Sequence, residues 1–122
     1  MNVSRKPVSI VSFNSNLGLI EPAPGKEPGV KKLPEWLRKF GFFDLVDHQE
    51  EIGLEPRPYS MYLDPVSDMR NTDSIAAYAK QQALIIQDVI SRKHFALVLG
   101  GDCSIIIGNA LALKQLGDYR LF

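Results

Sequence analysis

Residues 95–108, Phe-Ala-Leu-Val-Leu-Gly-Gly-Asp-Cys-Ser-Ile-Ile-Ile-Gly, constrain this chain more than any other stretch. A short continuous apolar run stops at two glycines, and a second apolar run at helical length follows. The first run reads as a buried strand, His94 to Leu99, of the kind found in parallel sheets. Two glycines permit a tight turn and close approach of backbone. The second run then begins a helix, with Asp102, Cys103 and Ser104 at its N-terminus. Open α/β sheets keep their sites at the carboxyl ends of strands, where this turn falls. Free amides at a helix start also favour anions. The same residues suit a bland role, with Asp102 or Ser104 as N-cap and Cys103 as small filler. The turn alone leaves both readings open.

The rest of the chain alternates in the same way. Val8 to Phe13 is β-branched and aromatic and predicts a first strand. Asn14 to Gly29 is rich in Asn, Gly and Pro and predicts a long loop. Val30, Leu33, Leu37 and Phe40 recur at helical spacing. Pro34 belongs in a first turn, Arg38 and Lys39 suit a C-terminus, and Gly41 suits the residue beyond it. Phe42 to Val46 is expected to be a short second strand, and Asp47 to Arg70 a surface excursion without periodicity. Asn71 or Thr72 can cap a helix whose stripe is Ile75, Ala79, Ala83, Ile86 and Ile90, ending near Arg92 or Lys93. The helix after Asp102 is apolar almost all round and is expected to lie between other elements, with Gly117 ending it. Asp118 to Phe122 is expected to begin a fourth strand. Strand–helix alternation gives an α/β fold with a mostly parallel sheet. Three strands and a stub make a thin sheet, so residues 1–122 are expected to be one domain that is incomplete at its C-terminus.

Composition narrows the function classes. The 122 residues are 45% hydrophobic and 23% charged, ordinary for a soluble globular protein. The formal net charge is zero, so no global field favours nucleic acid or an anionic membrane. Apolar runs such as Ala83 to Ile86 are too short to span a bilayer, and no apolar signal-length run follows the first basic residues. A single cysteine excludes an internal disulfide and favours a reducing, cytoplasmic setting. Gly100-Gly101 lacks the further glycine or lysine of the nucleotide-binding loops.

The turn resembles the Gly-Gly-Asp-His-Ser signature of the arginase/agmatinase ureohydrolases, with Cys103 where that family has a metal-binding histidine. Leu97 to Gly108 is similar in the strand, both glycines, the aspartate, the serine and the later glycine. The preceding helix and the basic link Ser91 to His94 are similar too, and the N-terminal third agrees more loosely. The resemblance covers the whole chain but only the first third to half of a typical family member. It implies a three-layer arginase-like α/β fold and a binuclear Mn²⁺ hydrolase. Such enzymes cleave C–N bonds of guanidino or formimino compounds with a metal-bridging hydroxide. It also implies a small amidine-bearing substrate, such as arginine, agmatine or formiminoglutamate, and a trimer or hexamer.

Carried over residue by residue, the resemblance makes Cys103 the one metal-ligand position in these 122 residues. Gly100, Gly101, Asp102 and Ser104 would support the turn around it. Thiolate is softer than imidazole and shifts the preference toward Zn²⁺ or Fe²⁺. The family's other donors come from Asp-x-His-x-Asp and Asp-x-Asp motifs, and neither occurs here. A polypeptide of residues 1–122 is therefore expected to be inert by itself. The alternative is a non-catalytic binding or assembly subunit with a lost metal site. A third reading makes Cys103 a reactive thiol.

Other groups are expected to be structural. His48 and His94 are the only histidines, and His94 lies at the opposite end of its strand from Cys103. Asp44, Asp47, Asp64 and Asp68 lack a spacing that gathers two carboxylates and a histidine. Asp47-His48 could reach a site but is expected to be solvated. Tyr59, Met61 and Tyr62, amid prolines, could form a recognition surface, but are expected to cover an edge.

Overall fold

A computed structural model of the protein describes residues 5–117. Three parallel strands form one sheet: β1 (Val8–Phe13), β2 (Glu50–Leu54) and β3 (Phe95–Gly100), in the order β2-β1-β3. Four helices accompany them: α1 (Leu33–Lys39), α2 (Phe42–Leu45), α3 (Thr72–Ser91) and α4 (Ile105–Leu116). The fourth-strand expectation at Asp118–Phe122 lies outside the described residues.

The first strand in the chain takes the centre of the sheet. Its residues from Ser9 onward are all buried, because both of its edges are paired and both of its faces are covered. Side chains alternate across it. Val11 and Phe13 join Ile52 and Leu54 of β2 and Ala96 and Val98 of β3 on one face, where Tyr78, Ala83, Ile86 and Val89 of α3 close the core. Phe13 meets Tyr78 edge to face, with ring centroids 6.4 Å apart. The Tyr78 hydroxyl donates to the Leu54 carbonyl at 3.0 Å. Burial pushes that phenol well above the ordinary tyrosine range. Ile10, also fully buried, belongs to the opposite face.

Four expectations need correction. Phe42–Val46 is not a strand. Gly41 takes a left-handed φ of 88°, and the amides of Asp44 and Val46 bond back to Gly41 and Phe43, which closes the helical turn α2. The second strand is Glu50–Leu54, inside the stretch expected to be irregular. Its Glu-Glu-Ile-Gly-Leu pattern hid it, because an edge strand need bury only one face. Third, β3 is only half-buried among the described residues, since it pairs with β1 alone. Fourth, α4 is not enclosed: Ile106 and Ile107 are exposed, while Gly108 and Ala112 face inward.

The α3–α4 contact depends on a missing side chain. A Cβ built on Gly108 would lie 2.6 Å from the Cβ of buried Gln82. Gln82 also donates from Nε2 to the Ile105 carbonyl at 3.0 Å, so it cannot swing aside freely. Gly108→Ala should therefore destabilise the fold by about 1–3 kcal/mol through overpacking, despite the better helix propensity of alanine. A lower urea midpoint at unchanged slope would bear this out; an unchanged or raised midpoint would refute it.

Asp47 and His48 lie at the N-terminal end of the sheet, where the Gln49 amide bonds to the Val8 carbonyl. His48 Nδ1 is 2.6 Å from the Val46 carbonyl and Nε2 is 3.1 Å from a Glu51 carboxylate oxygen. Two acceptors favour the doubly protonated ring, so the His48 pKa is raised, first by the carbonyl and then by Glu51. A raised folded-state value gives stability that is full below the ordinary histidine range and is lost as pH rises through the folded value. The melting temperature should thus fall slightly as pH rises above about 6.5, and His48→Gln should remove that component. A slope unchanged in the variant would count against it.

Candidate metal-site turn

β3 ends at Gly100, and the chain turns through Gly101 into Asp102, Cys103 and Ser104 before α4 begins. Gly101 has a φ of 89°, and a Cβ there would meet the Ser15 carbonyl at 2.6 Å and the Phe13 carbonyl at 2.8 Å. The turn therefore lies directly on the backbone that leaves β1. Only a residue without a side chain permits both the conformation and the approach.

Asp102 holds the two segments together. Its side chain is buried. Oδ2 accepts from the Gly18 amide at 2.8 Å and from the Ser104 amide at 3.2 Å, and Oδ1 accepts from the Ser104 hydroxyl at 3.0 Å. Its own amide donates to the Ser15 carbonyl at 3.1 Å. Ser104 Oγ lies 3.4 Å from Ser15 Oγ. Neither Asp102 nor Ser104 caps α4 in the ordinary sense, for the N-cap Ser104 makes no side-chain cap bond. Asp102 instead reaches backward across the sheet end to the loop after β1.

That loop is pinned from its far side as well. Asn71 Nδ2 donates to the Leu17 carbonyl at 3.1 Å, and its Oδ1 accepts from the Ser60 amide at 2.9 Å. Asn71 sits at the N-cap of α3 with a left-handed φ of 57° and makes no side-chain cap bond, so it serves as a loop tie rather than the expected cap. The Tyr59 hydroxyl donates to the Leu19 carbonyl at 2.7 Å. Tyr59 thus covers loop backbone, while Tyr62 stays exposed.

Cys103 stands exposed in this frame. Gly100, Gly101, Asp102, Cys103 and Ser104 are therefore brought together at the carboxyl end of β3. His48 and His94 are not: they lie at the amino end of the sheet with Glu51 and Glu50. Among the described residues no three His, Cys, Asp or Glu side chains cluster as metal donors. Asp102 already accepts three hydrogen bonds, and beside it the Cys103 thiol is exposed. These residues do not by themselves fit a binuclear metal centre.

Ser15 and Gly18 went unnoticed in the sequence, and Asn71 was legible only as a cap, because their roles rest on contacts far along the chain. Two predictions follow from the geometry of the turn. Asp102→Ala strands two amides and a hydroxyl and should cost about 3 kcal/mol, with Asp102→Asn intermediate; chemical denaturation of all three proteins checks the order. Gly101→Ala should lower the melting temperature far more than Gly25→Ala. Gly25 shares a positive φ of 74°, but nothing lies within 4 Å of its added Cβ, so only the strain of about 1–2 kcal/mol applies there. Equal losses would show that the close approach does not matter.

No protein-family model matches the chain. An arginase of Bacillus caldovelox is 28% identical over 116 residues, covering 90% of this chain and 37% of that protein. The crystal structure of an arginase from the same organism superposes with a TM-score of 0.69 at 27% identity, over 92% of this chain and 38% of the other. An arginase structure from Bacillus subtilis gives a TM-score of 0.65 at 26% identity, over 92% and 35%. The chain thus spans little more than a third of the length of these relatives. By sequence and by fold, it is similar to the N-terminal portion of arginases, which is consistent with the ureohydrolase superfamily.

Proposed function

We propose that residues 1–122 form the N-terminal part of a single-domain metal-dependent hydrolase that cleaves C–N bonds of linear amidines. Its substrate class is the small guanidino or formimino metabolite, on the pattern of arginase, agmatinase or formiminoglutamase. One observation carries this reading: Cys103 is exposed at the carboxyl end of β3, on a turn fixed by Asp102, in a chain that superposes on arginases. Within this chain the roles are positional. Gly101 lets the turn lie on the backbone that leaves β1, Gly100 leaves room for the Ile105 side chain of α4, Asp102 and Ser104 fix the shape of the turn, and Cys103 presents a donor to donors supplied from elsewhere. Mn²⁺ is the metal implied by the likeness, and the thiol favours Zn²⁺ or Fe²⁺ at its own position. A cytoplasmic homo-oligomer completes the reading. Among the described residues no helix is long and apolar enough to cross a membrane.

The competing reading is a non-catalytic binding or assembly subunit of the same fold. It is favoured by the single donor at the turn and the absence of a donor cluster among the described residues. Both readings expect a polypeptide of residues 1–122 to release no urea or formamide with either metal.

The separating experiment uses the full-length protein. It should hold two metal ions per chain by elemental analysis. It should also release urea from arginine or agmatine, or formamide from formiminoglutamate. Cys103→Ala should lower metal content and turnover together, at least tenfold, and Cys103→His should restore both with Mn²⁺. A metal-free protein inactive on all three substrates with Mn²⁺ and with Zn²⁺ would overturn the hydrolase and favour the assembly subunit.

A further inference from the structure

A second polar cluster, unrelated to the turn, occupies the amino end of the sheet. Ser9 on central β1 is fully buried, and its register partner on β2 is Glu50. Ser9 Oγ donates to Glu50 Oε1 at 2.6 Å and lies 2.8 Å from Nδ1 of His94, the residue just before β3. His94 Nδ1 is itself 3.5 Å from the same carboxylate oxygen. Arg92, at the end of α3, donates from Nη2 to Glu50 Oε1 at 2.6 Å and from Nε to Asp88 Oδ2 at 3.0 Å. The groups around His94 on β1, β2 and the end of α3 are thus Ser9, Glu50, Arg92 and, beyond Arg92, Asp88.

A serine hydroxyl has one proton. Glu50 faces a guanidinium and holds its carboxyl below the ordinary range, through Arg92 first and Ser9 second, so it is an ionised acceptor. The Ser9 proton is therefore committed to Glu50. Nδ1 of His94 lies within hydrogen-bond distance of an oxygen whose proton points elsewhere. An unprotonated Nδ1 there would set lone pair against lone pair. We infer that Ser9 and Glu50 hold His94 with its proton on Nδ1, so that the chain His94 Nδ1–H, Ser9 O–H, Glu50 carboxylate runs in one direction from the residue before β3 across β1 to β2. Hydrogen bonds of this kind fix which imidazole nitrogen carries the proton. Only Nε2 is then left to gain or lose a proton. The clasp keeps its donor whether the ring is neutral or charged, and protonation of Glu50 is what would break it.

The test is nitrogen NMR on histidine-labelled full-length protein, with the His94 signal assigned by its loss in His94→Gln. In the neutral ring, Nδ1 should show the protonated shift and Nε2 the unprotonated one. Glu50→Ala frees the Ser9 hydroxyl to donate to the ring, so the neutral tautomer should switch to Nε2–H. The opposite tautomer in the unaltered protein would overturn the inference without any variant. A ring that keeps Nδ1–H in Glu50→Ala would overturn the part assigned to Glu50.

Discussion

The buried carboxylate of Asp102 is the interaction on which the carboxyl end of this sheet depends. Two segments leave adjacent strands there, the loop after β1 and the turn after β3, and neither has a ladder to continue. Backbone donors at such a place must find acceptors or water. Asp102 supplies acceptors for Gly18 and Ser104 at once, and its position is fixed by its own bond to Ser15. A neutral side chain of the same size would leave one donor short. The exposed Cys103 beside it is free to vary because its neighbour carries the structure.

The two ends of the sheet are built on different principles. At the carboxyl end the contacts are between loops, and side-chain oxygens serve backbone amides. At the amino end the contacts are between side chains of successive strands, and Ser9, Glu50, His94 and Arg92 form a charged rim. Between them lies an apolar middle of Val11, Phe13, Ile86 and Val89. A site that must exchange ligands needs side chains that remain uncommitted, and at the carboxyl end Cys103 is exposed in this way.

Much of this was legible in the residues, and the misses have physical causes. The bounds of β1, the start of α1 at its proline and the extent of α3 follow from local chemistry: β-branching, proline geometry and a 3.6-residue stripe. The turn was legible because two glycines between a strand and a helix leave few alternatives. β2 was not legible, because an edge strand with two glutamates and a glycine has no pattern apart from the neighbour it pairs with. The apolar run Phe42–Val46 misled because a left-handed Gly41 redirects the chain before a strand can form. The ties made by Asn71 and Tyr59 depend on partners more than thirty residues away, which no local window can see.

The central place of β1 has a consequence for how the chain comes to be folded. This strand is made before both of its partners, since its two ladders need residues 50–54 and 95–100. Until both have left the ribosome, a strand that is buried when folded stands with open hydrogen-bonding edges. Parallel pairing between distant segments is slow to form, and unpaired strands invite association. The interval between the synthesis of Val8 and that of Gly100 is therefore the period in which this protein most needs protection from its neighbours. It is also the period in which chaperone capture would be most productive.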